Sequence, residues 1–299
     1  MENCKNCGHS IRGDQKYCPN CGQKNRDKLT FKGLMGELAS TFLSWDSKFF
    51  RTIVPLITKP GKVSTEYREG KRQTFVAPLR LYLFFSVLFF FTLSMMDQFD
   101  ISIGGANKPE QLAANDDTLR FDLGYEPFKI QKDSLENLVE QDRLDELPVI
   151  KNEKSKFQKM IWKRMLVVAA NGGSFGAYVQ KNISIMFFFF LPAFGIVLWL
   201  FFLRKKLDYI EHLIYGIYFH SFLFFMLWIV MILSRVTGND LPLIIGILYM
   251  LIYLMIGVKR YYGTKTYTAI IKSILISVVY FVTFVFFILI TLTVSVFLF

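Results

Sequence analysis

Residues 191–222 read LPAFGIVLWLFFLRKKLDYIEHLIYGIYFHSF. An apolar run ends at Leu203, Arg204, Lys205 and Lys206 follow, and a second apolar run is entered through Asp208 and Glu211. Apolar runs of about twenty residues match the roughly 30 Å of hydrocarbon a helix has to cross. The stretch therefore reads as the end of one span, a short turn and the start of the next. Lys and Arg concentrate on the cytoplasmic side of a membrane, so the turn is cytoplasmic and fixes the direction of every other crossing.

Working outward, span two covers residues 183–203, with Pro192 inside it, which membrane helices tolerate. Span three covers 213–233, a short outer turn holds Gly238-Asn239, and span four covers 241–258. Lys259, Arg260, Lys265 and Lys272 return the chain to the cytoplasm without an acid among them, and span five covers 274–299. Residues 183–299 thus hold four transmembrane helices, and residues 79–96 (LRLYLFFSVLFFFTLSMM) form the first. Between them, residues 97–182 carry 14 Asp/Glu and 12 Lys/Arg. This is an extracytoplasmic region, helical around Leu135, Leu138 and Leu144, with a basic amphipathic stretch at 157–168. Were residues 157–170 also to insert, there would be six spans rather than five. No internal repeat is visible, which weighs against an inverted-repeat transporter.

On the N-terminal side, residues 29–78 form cytoplasmic amphipathic and juxtamembrane helices. Apolar residues recur at 31, 35, 38, 42, 45, 49 and 53, within an arc of roughly 80° at helical spacing. Such a helix lies in the membrane interface or packs on the span ends, and is expected to end near Pro55. Pro60-Gly61 and Gly70 punctuate turns in a basic segment. There Arg68, Lys71, Arg72 and Arg80 are candidate contacts for anionic lipid headgroups.

All four cysteines lie in the first 21 residues, as Cys4-Lys-Asn-Cys7-Gly8 and Cys18-Pro-Asn-Cys21-Gly22. No apolar leader precedes them, and behind a positive-inside first span they face a reducing compartment, where metal ligation is favoured over disulfides. A C-x2-C knuckle offers two thiolates from one turn, and two knuckles complete a tetrahedral Cys4 site, the closed geometry of structural zinc. Glycine after each knuckle allows the positive φ that turns backbone amides towards sulfur. Residues 1–25 are therefore read as a zinc ribbon that folds on binding metal. Rubredoxin-like iron is the alternative, with His9 a loop residue. The ribbon serves as a docking module for a partner or as a self-contained cap.

The formal net charge is +11, and residues 1–80 carry 15 Lys/Arg against 7 Asp/Glu. That distribution fits a positive-inside bias and anionic headgroups better than nucleic acid. The one cluster of titratable residues entering an apolar run is Asp208, Glu211, His212 and His220. Ionisable groups inside a membrane are expensive and mark functional sites by default. Glu211, His212 and His220 are thus a candidate intramembrane polar site, set against histidines that serve only packing. No P-loop, H-E-x-x-H, G-x-S-x-G or Rossmann pattern is present.

Beyond these readings, the chain resembles a family of bacterial inner-membrane proteins known only as a domain of unknown function. The resemblance rests on the double knuckle running into Gln23-Lys-Asn25, on PGKV (60–63), EYREGKR (66–72) and P-x-R-x-Y-L-F (78–84), and on LPAF (191–194), YIEHLIYGIYFHSF (209–222) and KRYYG (259–263). It covers most of the chain outside residues 97–160. It implies a zinc ribbon on a multi-span membrane body and no activity; the Lys/Arg asymmetry of the turns places the N-terminus on the cytoplasmic side and the C-terminus outside. Tyr218-Phe219-His220 stands where a more histidine-rich variant is expected, which weakens a paired-histidine role.

The expectation is an all-α polytopic membrane protein of about five transmembrane helices with a small N-terminal zinc ribbon. Its function is expected to be non-enzymatic, the ribbon docking a partner or sensing. The alternatives are a small transporter or ion-conducting protein using Glu211, His212 and His220, and an intramembrane lipid-modifying enzyme.

Overall fold

The structure, a computed structural model, describes residues 2–12, 15–24, 30–31, 48–96, 118–121, 128–151 and 155–299. Five helices among them are long and apolar enough to cross a membrane: Pro78–Met95, Tyr178–Phe201, Tyr209–Thr237, Leu241–Tyr262 and Thr266–Leu298. They fall where the hydropathy of the sequence puts them, and each of the last four extends beyond its apolar run by several residues. The helix at Lys156–Ala170 has 15 residues and is not one of the five. The chain divides into two compact units, 1–92 with 187–286 and 93–186 with 287–299.

In the first unit, β1 (Glu2–Asn3) pairs antiparallel with β2 (Ser10–Ile11) around the first knuckle. Three helices follow: α1 (Lys48–Thr58), α2 (Lys62–Glu69) and α3 (Pro78–Met95). Contrary to expectation, α1 does not stop at Pro55 but runs a further three residues. Proline deprives only the Arg51 carbonyl of its helical partner, and Arg51 is exposed, so the loss is cheap there. Of the seven periodic positions, Phe49 packs edge-on to Phe84 at 5.2 Å, joining α1 to α3. Positions 35, 38, 42 and 45 lie outside the described residues.

Later in the chain come α4 (Lys132–Glu140), α5 (Pro148–Lys151) and α6 (Lys156–Ala170), then α7 (Gly172–Phe201), α8 (Tyr209–Thr237), α9 (Leu241–Tyr262) and α10 (Thr266–Leu298). The centre of the first unit is α8, buried at every residue from 212 to 222. Glycines let its neighbours close in. The ring of Phe194 on α7 lies against Gly216, and Tyr215 lies against Gly257 of α9. Stacked pairs, Phe222 on Tyr253 at 3.5 Å and Phe202 on Tyr262 at 3.6 Å, fill the α8–α9 contact and tie the turn after α7 to α9. Almost none of the apolar window of α10 is buried, with Val278, Phe281, Val282 and Phe286 all exposed. A continuous apolar face of this kind suits lipid and not water.

In the second unit, β3 (Thr118–Phe121) pairs antiparallel with β4 (Phe128–Gln131), a hairpin that the all-α expectation did not contain. It leads into α4 (Lys132–Glu140), a 3-10 turn, α5 (Pro148–Lys151) and α6 (Lys156–Ala170). Leu135, Leu144, Ile150 and Leu166 form their shared core, with Ile130 and Leu138 against it. The leucines that patterned the sequence thus face inward. A second cluster joins Val168, Phe175 and Val179 to Leu292, Val296 and Phe299, and the Asn182 amide donates to Ser295 Oγ at 2.9 Å.

One close approach in the first unit is open to test. Gly61 begins α2 with φ +74°, and a Cβ there would stand 2.8 Å from the Gly257 carbonyl oxygen of α9. Gly61→Ala should lose about 2–4 kcal/mol from the left-handed backbone and the clash together. Gly238→Ala, at φ +66° with open space around it, should lose only about 1–2 kcal/mol. Thermal unfolding in detergent would show the larger fall for Gly61→Ala; equal shifts would contradict the contact.

Candidate metal centre

The two knuckles repeat one backbone pattern. The Gly8 and Gly22 amides donate to the Cys4 and Cys18 carbonyls at 2.8 and 2.9 Å, and the Cys4 and Cys18 amides donate to the His9 and Gln23 carbonyls, each at 2.8 Å. Gly8 and Gly22 have φ +76° and +70°, the left-handed conformation in which glycine carries no Cβ penalty. The residue after each glycine then turns its N–H to sulfur, His9 to Cys7 and Gln23 to Cys21. The His9 amide holds the exposed Cys7 thiol down to about 6, while burial pushes Cys21 up to about 12.

All four Sγ atoms lie within 4.8 Å of one another, with Cys4 to Cys21 at 3.6 Å and Cys7 to Cys18 at 3.7 Å. A disulfide would bring two sulfurs to about 2.05 Å, so these are four free thiols. Tetrahedral Zn–S bonds of about 2.3 Å place neighbouring sulfurs about 3.8 Å apart. The four cysteines are therefore close enough to hold one metal ion. Among the described residues, no other group of three or more His, Cys, Asp or Glu meets that criterion.

The knuckles are seated on the basic juxtamembrane segment. The Gln23 side chain, 8% exposed, donates through Nε2 to the Gly70 carbonyl and accepts the Gln73 N–H through Oε1 at 3.2 Å. Asn6 Oδ1 accepts both the Thr74 N–H and its hydroxyl, at 3.2 and 2.9 Å, and the Lys5 side chain lies against Gly70. The far end of the same segment is tied to the spans. The Val76 N–H donates to Thr52 Oγ1 of α1 at 2.9 Å, and its carbonyl accepts the Tyr218 hydroxyl of α8 at 2.7 Å. Residues 70–76 thus connect the cysteine module to the helix bundle.

Glu211, His212 and His220 do not converge on one centre. Glu211 is spent on helix capping, its carboxylate accepting the Asp208 N–H at 2.8 Å. His212 Nδ1 meets the Tyr262 hydroxyl at 2.9 Å, while its buried Nε2 has no partner among the described residues. His220 has both nitrogens engaged, Nδ1 with the Gly216 carbonyl at 2.8 Å and Nε2 with the Tyr280 hydroxyl at 3.3 Å. Phe190, Phe194 and Phe219 surround its ring. Of the four basic candidates, Lys71 pairs with Glu66 at 3.4 Å and Arg68 lies 4.4 Å over the Tyr261 ring. Arg72 and Arg80 are half-buried.

Sequence reading missed Asn6 and Gln23, which look like ordinary polar loop residues, and it missed the tyrosines. Tyr253 and Tyr249 donate to the Leu56 and Ile57 carbonyls at 2.6 and 3.0 Å, satisfying carbonyls that the last turn of α1 leaves open. Their spacing of four inside an apolar span was the available signal.

Over residues 46–90, from α1 into α3, the chain matches the family described as protein of unknown function (DUF3667). No curated protein matches the chain, and no solved structure does.

Metal content of the purified full chain should be about one ion per chain, falling to near zero in Cys4→Ser or Cys18→Ser. His212→Ala and His220→Ala should leave it unchanged. Metal retained in both cysteine variants would contradict the assignment.

Proposed function

We propose that this is a non-enzymatic, multi-pass protein of the bacterial inner membrane whose N-terminal zinc ribbon, on the cytoplasmic side, senses metal and sets the position of the juxtamembrane segment. The C-terminus is extracytoplasmic, by the Lys/Arg asymmetry of the turns. The observation that carries the reading is the Gln23 bridge between Gly70 and Gln73. Gln23 follows Cys21-Gly22 directly, so the turn that presents a metal ligand also presents the clamp.

The energetics point the same way. The core of the module is Cys4, Ile11 and Cys18, with Cys21 against it, too little apolar surface to order some twenty residues. Zinc supplies the folding free energy in such modules. With metal bound, Gln23 and Asn6 are held in place; without it, Gly70, Gln73 and Thr74 lose their partners. The segment so released carries Lys71 and Arg72 and leads through Val76 to α3 and α8. A partner docks on the part of the ribbon turned away from this seat.

Trypsin cleavage after Lys71 or Arg72 in the full chain tests the coupling. Removing metal with a chelator should speed cleavage at least about tenfold, because proteolysis follows the population of the open form. Gln23→Ala should do the same with metal still bound, since it strands the buried Gly70 carbonyl at about 1–3 kcal/mol and frees the Gln73 N–H. Cleavage indifferent to both changes would sink the proposal.

A further inference from the structure

We infer that a cleft beside the ends of α7, α8 and α9 is a binding site for a phosphate group, borne by a lipid headgroup or by a small phosphorylated solute. The cleft has a volume of about 320 Å3 and lies within the first unit. Three segments distant in sequence build it. Arg68 and Glu69 come from α2, Lys205 and Lys206 from the turn after α7, and Arg260 with Tyr261 and Tyr262 from the end of α9. Four cations face a single carboxylate. Among the described residues none of the four has a carboxylate within 4.0 Å.

Two of the cations are held in position by the fold. Arg68 Nη1 donates to the Tyr261 carbonyl at 3.1 Å while its guanidinium lies 4.4 Å over the Tyr261 ring. Arg260 Nη1 donates to the Pro60 carbonyl at 2.5 Å. A guanidinium has five N–H donors; Arg68 also reaches the Tyr261 hydroxyl, and among the described residues both side chains keep N–H groups for a ligand, in the planar fork that matches phosphate oxygens. Lys205 and Lys206 are exposed and add compact charge at the rim. Tyr262 gives the cleft a rigid wall, being stacked on Phe202 at 3.6 Å and bonded to His212 at 2.9 Å.

Size and place decide the ligand class. The volume suits a headgroup-sized anion, and the cleft sits at the ends of three apolar helices, the depth at which lipid phosphates lie. Neutralising four scattered surface charges would not require them to share one walled cleft. The site does not depend on the ribbon or its metal.

Native mass spectrometry of the full chain in detergent, titrated with phosphatidic acid and with phosphatidylcholine, tests the inference. Lys205→Gln/Lys206→Gln should weaken phosphatidic acid binding about tenfold, given the effect of two cations near a membrane surface partly screened by salt. Lys259→Gln/Lys265→Gln removes the same charge outside the cleft and should change it less than about twofold. Phosphatidylcholine should respond to neither. Competition by millimolar inorganic phosphate would place the site with soluble phosphate compounds, and its failure would place it with headgroups. Equal losses in both double variants, or no loss in either, would overturn the inference.

Discussion

Backbone carbonyls at the edge of a membrane must find donors, and in this protein tyrosines, a glutamine and arginines provide them. A buried polar group without a partner costs about 1–3 kcal/mol, and the ends of short helices leave several such groups open. Tyr249 and Tyr253 serve α1, Tyr218 serves Val76, Tyr261 serves Glu211, Arg260 serves Pro60 and Gln23 serves Gly70. Every one of these bonds joins a segment near the N-terminus or a helix end to an element far away in sequence or in the next turn of the bundle. Removing these donors would leave α1, α2 and residues 70–76 with fewer polar ties, among them Thr52 to Val76, Asn6 to Thr74 and Arg68 to Tyr261, and apolar contacts do not specify register.

The cysteine module joins this scheme through its own backbone. The knuckle geometry that turns the His9 and Gln23 amides towards sulfur also fixes where the Gln23 side chain starts. On the reading proposed here, metal binding and attachment to the spans are therefore one event. The proposed phosphate site uses the same economy, since Arg68 and Arg260 each satisfy a carbonyl and have further N–H groups to offer a ligand.

The spans and the cysteine cluster were legible in the sequence because each depends on local pattern: runs of about twenty apolar residues, and two thiols per tight turn. The helix around Leu135 and Leu138 followed the same logic, whereas Leu144, read as helical, falls in a short 3-10 turn. What was not legible depends on distant pairing. The β3–β4 strands, TLRF and FKIQ, do alternate apolar with polar, but for only four residues each, too short a run to stand out in a polar stretch, and Pro55 was read as a stop, where α1 in fact runs on to Thr58. Glu211 looked like an intramembrane acid, yet the three-residue offset from Asp208 is the spacing of a capping box. His220 looked functional by the rarity of histidine in a span, yet Gly216 and Tyr280 occupy both its nitrogens. The cleft needed three segments that no linear pattern relates.

Hydrogen exchange of the full chain in a bilayer disc, with metal bound and with metal removed, probes the central claim most directly. Among the described residues, the Gln73 and Thr74 amides donate to the Gln23 and Asn6 side chains. If the ribbon holds this segment through its metal, their protection should vanish together with that of the Cys4 and Cys18 amides when the metal is stripped, while the amides within α8 and α9 stay slow. Protection of Gln73 and Thr74 that survives loss of the ribbon's own would show that the segment is ordered independently, and would contradict the coupling.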